Sequence, residues 1–241
     1  MFLRFGLLLL LLAGPARGEA VRLAVASNFQ ETARTLADLF EKRSGRRVVL
    51  SAASSGKLYA QIRHGAPFDL FLSADAERPQ RLAREGRTIG FPRTYAIGRL
   101  VYWSPATPGD AHACREGLQR AQRLALANPD TAPYGAAALE VLKRLGLEGT
   151  RRVTGENIGQ TFAFVASGAV DGGFVAAAQL RGRDDLPGCR WPVPAGLHRP
   201  IAQQAALLER GAENEAAHDF FAFLFTPVAR ERIRAAGYDL P

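Results

Sequence analysis

Two serines stand where binding chemistry can be built. Val21-Arg22-Leu23-Ala24-Val25-Ala26 runs into Ser27-Asn28, and Arg47-Val48-Val49-Leu50-Ser51-Ala52-Ala53 runs into Ser54-Ser55-Gly56. Each apolar run is followed by a helical pattern, which places Ser27 and Ser55 at strand-to-helix turns. There a hydroxyl and the unpaired N–H groups of the first helical turn point outward together, a set of hydrogen-bond donors that suits an anion. Serine and asparagine are also preferred N-caps, and a single serine before a helix needs no other role. Two in successive βα units carry more weight. Open parallel sheets bind ligands outside the carboxyl ends of their strands, so both turns can face one crevice.

The elements that must position these turns alternate along the chain. A helix over residues 29–44 has Phe29, Ala33, Leu36 and Phe40 at helical spacing and stops at Gly45. A strand and a helix over 56–64 follow. Gly65-Ala66-Pro67 then precedes an apolar run over 69–74, suited to a parallel strand buried on both faces, with Asp75 placed to cap a helix over 76–84. A second series starts near Gly98, with strands over 100–103, 124–127 and 172–176 and helices over 136–145 and 158–166. The Pro/Gly-rich stretch 186–200 suits a chain returning between lobes. A strand over 202–208 and helices over 214–225 and 228–236 complete the chain. This alternation predicts an α/β fold of two lobes. Residues 19–97 and 200–241 form a discontinuous lobe I and residues 98–199 lobe II, with crossings near 97 and 200.

The N-terminus carries one early charge, Arg4, then the apolar run Leu7 to Leu12, and Ala16-Arg17-Gly18 as a small-x-small cleavage site before Glu19. Residues 1–18 therefore predict a cleaved secretory signal and a periplasmic location. An uncleaved anchor is the alternative; a lipoprotein signal lacks its cysteine. The remaining length suffices for one large or two small domains. The net charge of +8 falls by two with Arg4 and Arg17. A pI near 10.2 invites a nucleic-acid reading. The basic residues, however, are scattered over helix faces (Arg34, Lys42, Arg43, Arg78, Arg81, Arg84, Arg87) without interleaved aromatics, which predicts a solvated basic surface and no nucleic-acid partner. With export, Cys114 and Cys189 become candidates for one disulfide, two free buried thiols being the alternative. Neither they nor His64, His112, His198 and His218 show metal-ligand spacing.

Ala26-Ser27-Asn28, then Ala53-Ser54-Ser55-Gly56-Lys57-Leu58 with Gln61-Ile62, then Gly65-Ala66-Pro67-Phe68-Asp69-Leu70-Phe71-Leu72-Ser73-Ala74-Asp75 resemble the periplasmic molybdate-binding proteins of ABC transporters. Asn128-Pro129-Asp130, Ala132-Pro133-Tyr134-Gly135 and Gly155-Glu156-Asn157-Ile158 continue the match over nearly the whole mature chain. The resemblance implies a type II periplasmic binding protein fold, each lobe a mostly parallel sheet flanked by helices, with the ligand in the cleft between lobes. By position, Ser27 and Ser55 would donate hydroxyl and amide hydrogens, Asn28 would add its amide, and Ile158 its backbone N–H at a helix start. Some members carry a tyrosine after the strand that ends here at Ala176, where this chain has none. Tyr134 stands where other members carry theirs, and takes that role. The resemblance also implies a monomer that delivers its ligand to a membrane permease, with no cofactor and with molybdenum present only as the oxyanion, without direct protein ligands.

The chemistry agrees. Molybdate near neutral pH is a doubly charged acceptor with no proton to give, so a site of donors alone matches it, and helix N-termini add partial positive charge. A buried lysine or arginine would add attraction at a desolvation cost. Charge does not separate molybdate from sulfate; cavity size must, since the molybdenum and tungsten anions are larger, and tungstate belongs in the same expectation.

An enzyme is the rival class. Ser54-Ser55-Gly56-Lys57 lacks the early glycine of a phosphate loop and has Leu58 in place of its hydroxyl residue. No G-x-S-x-G elbow surrounds a serine, and capping or turn roles account for Asp69, Asp75, Asp130 and Asp171. No reacting constellation remains, and the chain reads as a non-enzyme. The same fold could hold sulfate, phosphate, a metal ion or a small organic acid. Ferric ion wants paired tyrosines and carboxylates. The tyrosines here are Tyr59, Tyr95, Tyr102, Tyr134 and Tyr238, of which Tyr59 and Tyr238 sit at packing or surface positions. An organic acid wants an arginine grip, for which Arg22 and Arg152 stay open.

Overall fold

The computed structural model describes residues 20–241; the expected leader lies outside the described residues. The chain runs through β1 (Val21–Ala26), α1 (Gln30–Ser44), β2 (Val48–Ala53), α2 (Ser55–Arg63), β3 (Leu70–Leu72), α3 (Glu77–Arg84) and β4 (Arg93–Gly98). It continues through β5 (Leu100–Ser104), α4 (Ala111–Arg120), β6 (Arg123–Ala127), α5 (Pro133–Arg144), β7 (Arg151–Gly155), α6 (Ile158–Ala166), β8 (Gly172–Ala176), α7 (Ala177–Leu180) and β9 (Cys189–Pro192). It ends with β10 (Ile201–Leu207), α8 (Glu215–Phe223) and α9 (Pro227–Ala235).

The strands form two five-stranded sheets, ordered β2-β1-β3-β10-β4 and β7-β6-β8-β5-β9. In the first, β1 pairs in parallel with β2 and β3, while β10 runs antiparallel to both β3 and β4. The second repeats the pattern, with β6 parallel to β7 and β8, and β5 antiparallel to β8 and β9. The lone antiparallel strand of each sheet, β10 or β5, is the one that enters directly after the chain has passed over from the other sheet. Those passages occur at Arg99 and over 193–200.

The inner strands β1, β3, β6 and β8 are largely apolar because both faces are covered, with Arg22 in β1 and Arg123 at the start of β6 exposed. Leu23, Val25, Leu70 and Leu72 share a core with Phe29, Leu36 and Phe40, and Phe40 meets Phe220 edge-on with ring centroids 5.1 Å apart. Full burial of each such side chain contributes about 1.5–3 kcal/mol. Gly45, at φ 70°, ends α1 in the left-handed conformation. Leu124, Leu126, Leu142 and Phe174 form the counterpart core under the second sheet. Cys114 on α4 and Cys189 at the start of β9 are disulfide-bonded with Cα atoms 5.3 Å apart, which decides between bridge and free thiols. Closing that loop stabilises by about 4 kcal/mol on the chain-entropy account.

Several boundaries depart from the pattern reading. The run over 69–74 gives only the three residues of β3, because Ser73 N–H turns to Gln204 O and Ala74 N–H to Ser55 Oγ. The helix expected over 136–145 starts three residues earlier with Pro133 at its first turn, where a missing N–H costs nothing. Asp75 does accept the Arg78 N–H, but α3 begins only at Glu77. Strands β4, β7 and β9 and helices α4 and α7 were not anticipated.

Candidate functional site

Parallel pairing decides what the sheets offer. The register sets Ala26 beside Ala53 at the carboxyl ends of β1 and β2, so the next residues, Ser27 and Ser54, emerge side by side. In the second sheet Ala127 is level with Gly155, and the turns leading to α5 and α6 emerge together. These two edges face each other across a small cavity of about 10 Å³. Ser27, Asn28, Ser54 and Ser55 line it from one side, Tyr134 and Ile158 from the other; its remaining walls are alanines and Pro133. No charged side chain lines it.

The cavity is closed over at a rim. Gly56 N–H donates to Thr131 O at 2.8 Å, Lys57 Nζ pairs with Glu156 at 2.6 Å, and Arg78 Nη2 donates to Asp130 O at 2.9 Å. A Cβ at residue 56 would stand 2.9 Å from Thr131 Cα, so only glycine permits this approach. A larger groove alongside is lined by Asp75, Arg78, Glu140 and Arg199 and opens to solvent. Arg78 pairs there with Asp75 and Arg199 with Glu140, and Glu77 and Asp130 add negative charge, which leaves the small cavity as the better candidate.

Each expected residue has a definite place. Ser27 opens a short 3-10 turn into α1 and caps neither segment. Ser55 Oγ is buried and accepts the Ala74 N–H at 2.9 Å, leaving its own proton to donate. Ile158 is the first residue of α6. Asn157 Oδ1 takes the Gly159 and Gln160 N–H groups, so the Ile158 N–H is the one this cap leaves over. Gln179 Nε2 donates to Ile158 O and braces the same turn. Tyr134 is fully buried, and its hydroxyl oxygen accepts from Gln203 Nε2 at 3.5 Å. Burial pushes the Tyr134 and Tyr95 phenols well above their usual range, so both stay protonated at physiological pH.

Asn28 has two amides, and only one of them is uncommitted. Its side-chain amide is committed to Gln203 Oε1 at 2.9 Å and to Tyr238 Oη at 3.4 Å, which leaves its main-chain N–H, in the first turn, as what it can offer. Tyr238 is likewise more than packing: its hydroxyl donates to Asn28 O at 2.7 Å. Arg22 and Arg152 are exposed and line no part of the cavity, which removes the arginine grip. Asp69 accepts the Arg22 N–H and Asp171 those of Gln122 and Arg123, so these carboxylates hold turns. Among the described residues, no three His, Cys, Asp or Glu side chains are grouped to hold a metal ion. Sequence reasoning missed Ser54, whose buried Oγ has no partner, and Gln203. Only its place beside Ser55 pointed to Ser54.

The sequence pattern of bacterial extracellular solute-binding proteins matches residues 21–239. The chain belongs to this family. It is 44% identical to the molybdate-binding protein ModA of Rhodobacter capsulatus, over 94% of this chain and 91% of that one. It is also 44% identical to ModA of Azotobacter vinelandii, over 95% and 94%. The solved periplasmic molybdate-binding protein of Azotobacter vinelandii superposes with a TM-score of 0.85 at 40% identity, covering 92% of this chain and 99% of that one. The two sheets are thus the two lobes of a type II periplasmic binding protein fold, and the cavity of this solute-binding protein lies where they meet.

Proposed function

We propose that this solute-binding protein captures molybdate, and tungstate with it, in the closed cavity and passes it to the membrane permease of an ABC transporter. The carrying observation is a buried, uncharged cavity at which four helix starts converge with their donors. In this reading Ser27 and Ser55 donate their hydroxyls, Tyr134 its phenol, and Asn28 and Ile158 their main-chain N–H groups. Neutral donors fixed before the ligand arrives stabilise a dianion without the desolvation cost of a buried cation. Lobe I comprises residues 19–97 and 200–241 and lobe II residues 98–199; the ligand binds the closed arrangement better because it touches both. The protein works as a monomer in the periplasm after loss of residues 1–18, without cofactor and without catalysing a reaction. The identity with the molybdate-binding relatives supports the choice of anion.

Calorimetric titration of the mature protein with molybdate, tungstate, sulfate and phosphate tests this. Molybdate and tungstate should bind with a clear preference over the other two. Sulfate binding as tightly as molybdate, or more tightly, overturns the assignment.

A further inference from the structure

Behind the cavity lies a buried polar network centred on Gln203, which is fully enclosed in β10. Its Oε1 accepts from Asn28 Nδ2 at 2.9 Å and from Tyr95 Oη at 3.2 Å. Two donors around one oxygen fix which way the amide points, and so Nε2 faces Tyr134 Oη. The protons of the network can then be followed one by one. Those of the Asn28 amide go to Gln203 and Tyr238, that of Tyr238 goes to Asn28 O, and that of Tyr95 lies between Ser73 O and Gln203 Oε1. Tyr134 receives from Gln203 Nε2, has the Asn28 side-chain amide beside its hydroxyl as well, and is seen to donate no bond back to the network. Its oxygen is also seated against Gly98, where a Cβ would stand 2.2 Å away, so no side chain at that position competes for the phenol. The open direction is the cavity that Tyr134 lines.

We propose that Gln203 is a positioning and specificity-determining residue: by donating to Tyr134 it turns the phenol proton into the cavity, so that the phenol meets an oxyanion as a donor and gives no acceptor to one that carries a proton of its own. This rests on the cavity being the oxyanion site. Hydrogen phosphate brings a proton that needs an acceptor. Without one, a buried donor is left unpaired, and sites built this way discriminate strongly. Molybdate brings no proton and meets no such penalty.

The test is titration with molybdate, and with phosphate by competition, of the wild type, Gln203→Met, Gln203→Glu, Tyr134→Phe and the Gln203→Met/Tyr134→Phe double variant. Gln203→Met and Tyr134→Phe should each weaken molybdate about tenfold, the size of one hydrogen bond to a charged partner. In the Tyr134→Phe background Gln203→Met should cost less than about twofold, because the proton it orients is gone. Gln203→Glu keeps the shape if the methionine variant fails to fold. Its carboxylate takes the phenol proton and turns the oxygen lone pair to the ligand, which should narrow the molybdate-over-phosphate ratio about tenfold. Equal Gln203→Met costs in both backgrounds, or an equal loss of both anions in Gln203→Glu, overturn the inference. A wild type that binds no oxyanion defeats instead the site assignment on which it rests.

Discussion

The cavity and its rim solve opposite problems within a few residues of each other. Inside, between Ser27, Ser55, Tyr134 and Ile158, no charged side chain is present. At the rim the lobes meet through the Lys57–Glu156 pair and the Arg78 guanidinium, all in contact with water. The difference follows from dielectric. Buried charge costs several kcal/mol per ion to desolvate, whereas an exposed pair costs little and returns little, about 0–1 kcal/mol. On the proposed reading, recognition falls to neutral donors and the charged contacts hold the lobes in register. Between the two regions stands Gly56, whose N–H bonds Thr131 O and whose missing side chain lets the rim close.

The largest effect should come from breaking this division at its boundary. In Gly56→Ala the new Cβ collides with main chain of Thr131, and the lobes stay apart. A ligand on lobe I alone loses Tyr134 and Ile158, a cost of about 3 kcal/mol or more, at least a hundredfold in affinity. Small-angle scattering should show molybdate compacting the wild type and leaving this variant unchanged; normal affinity in Gly56→Ala would mean that one lobe supplies the whole site. Next come the donors themselves. Ser27→Ala and Ser55→Ala should each lose about 1.5–3 kcal/mol of binding energy by calorimetry, since each removes a bond to an ionised ligand. Unchanged affinity in the double variant would reduce both serines to turn residues. The smallest effect belongs to the rim. Lys57→Met should weaken molybdate by no more than about 1 kcal/mol, and the deficit should shrink as salt rises. A loss as large as that of the serines would place a cation in recognition after all and erase the comparison.

Legibility followed the same physical divide between local and long-range information. Strands β1, β3, β6 and β8 are apolar apart from an exposed arginine near the start of β1 and of β6, because helices cover both their faces, and the pattern found all of them. The three strands not anticipated, β4, β7 and β9, are all sheet edges, where exposed arginines, a proline and glycines interrupt any run. Ser27 and Ser55 were legible because a strand, a turn and a helix follow one another within a dozen residues. Tyr134 and Ile158 came from resemblance, although Asn157 ahead of an apolar helix is a cap that composition can suggest. Gln203 was not legible: it acts on Asn28 from 175 positions away, and nothing local distinguishes it from another polar residue in a strand.

The central claim is that one oxyanion sits among neutral donors from both lobes. Crystals grown with molybdate, with diffraction recorded at the molybdenum absorption edge, locate the metal directly. A single anomalous peak should lie in the cavity, with its oxygens within hydrogen-bond distance of the Ser27 and Ser55 hydroxyls, the Tyr134 phenol and the Ile158 N–H, and with no charged side chain in contact. A peak in the charged groove beside Arg78 and Arg199, or an arginine or lysine bound directly to the anion, would contradict the account.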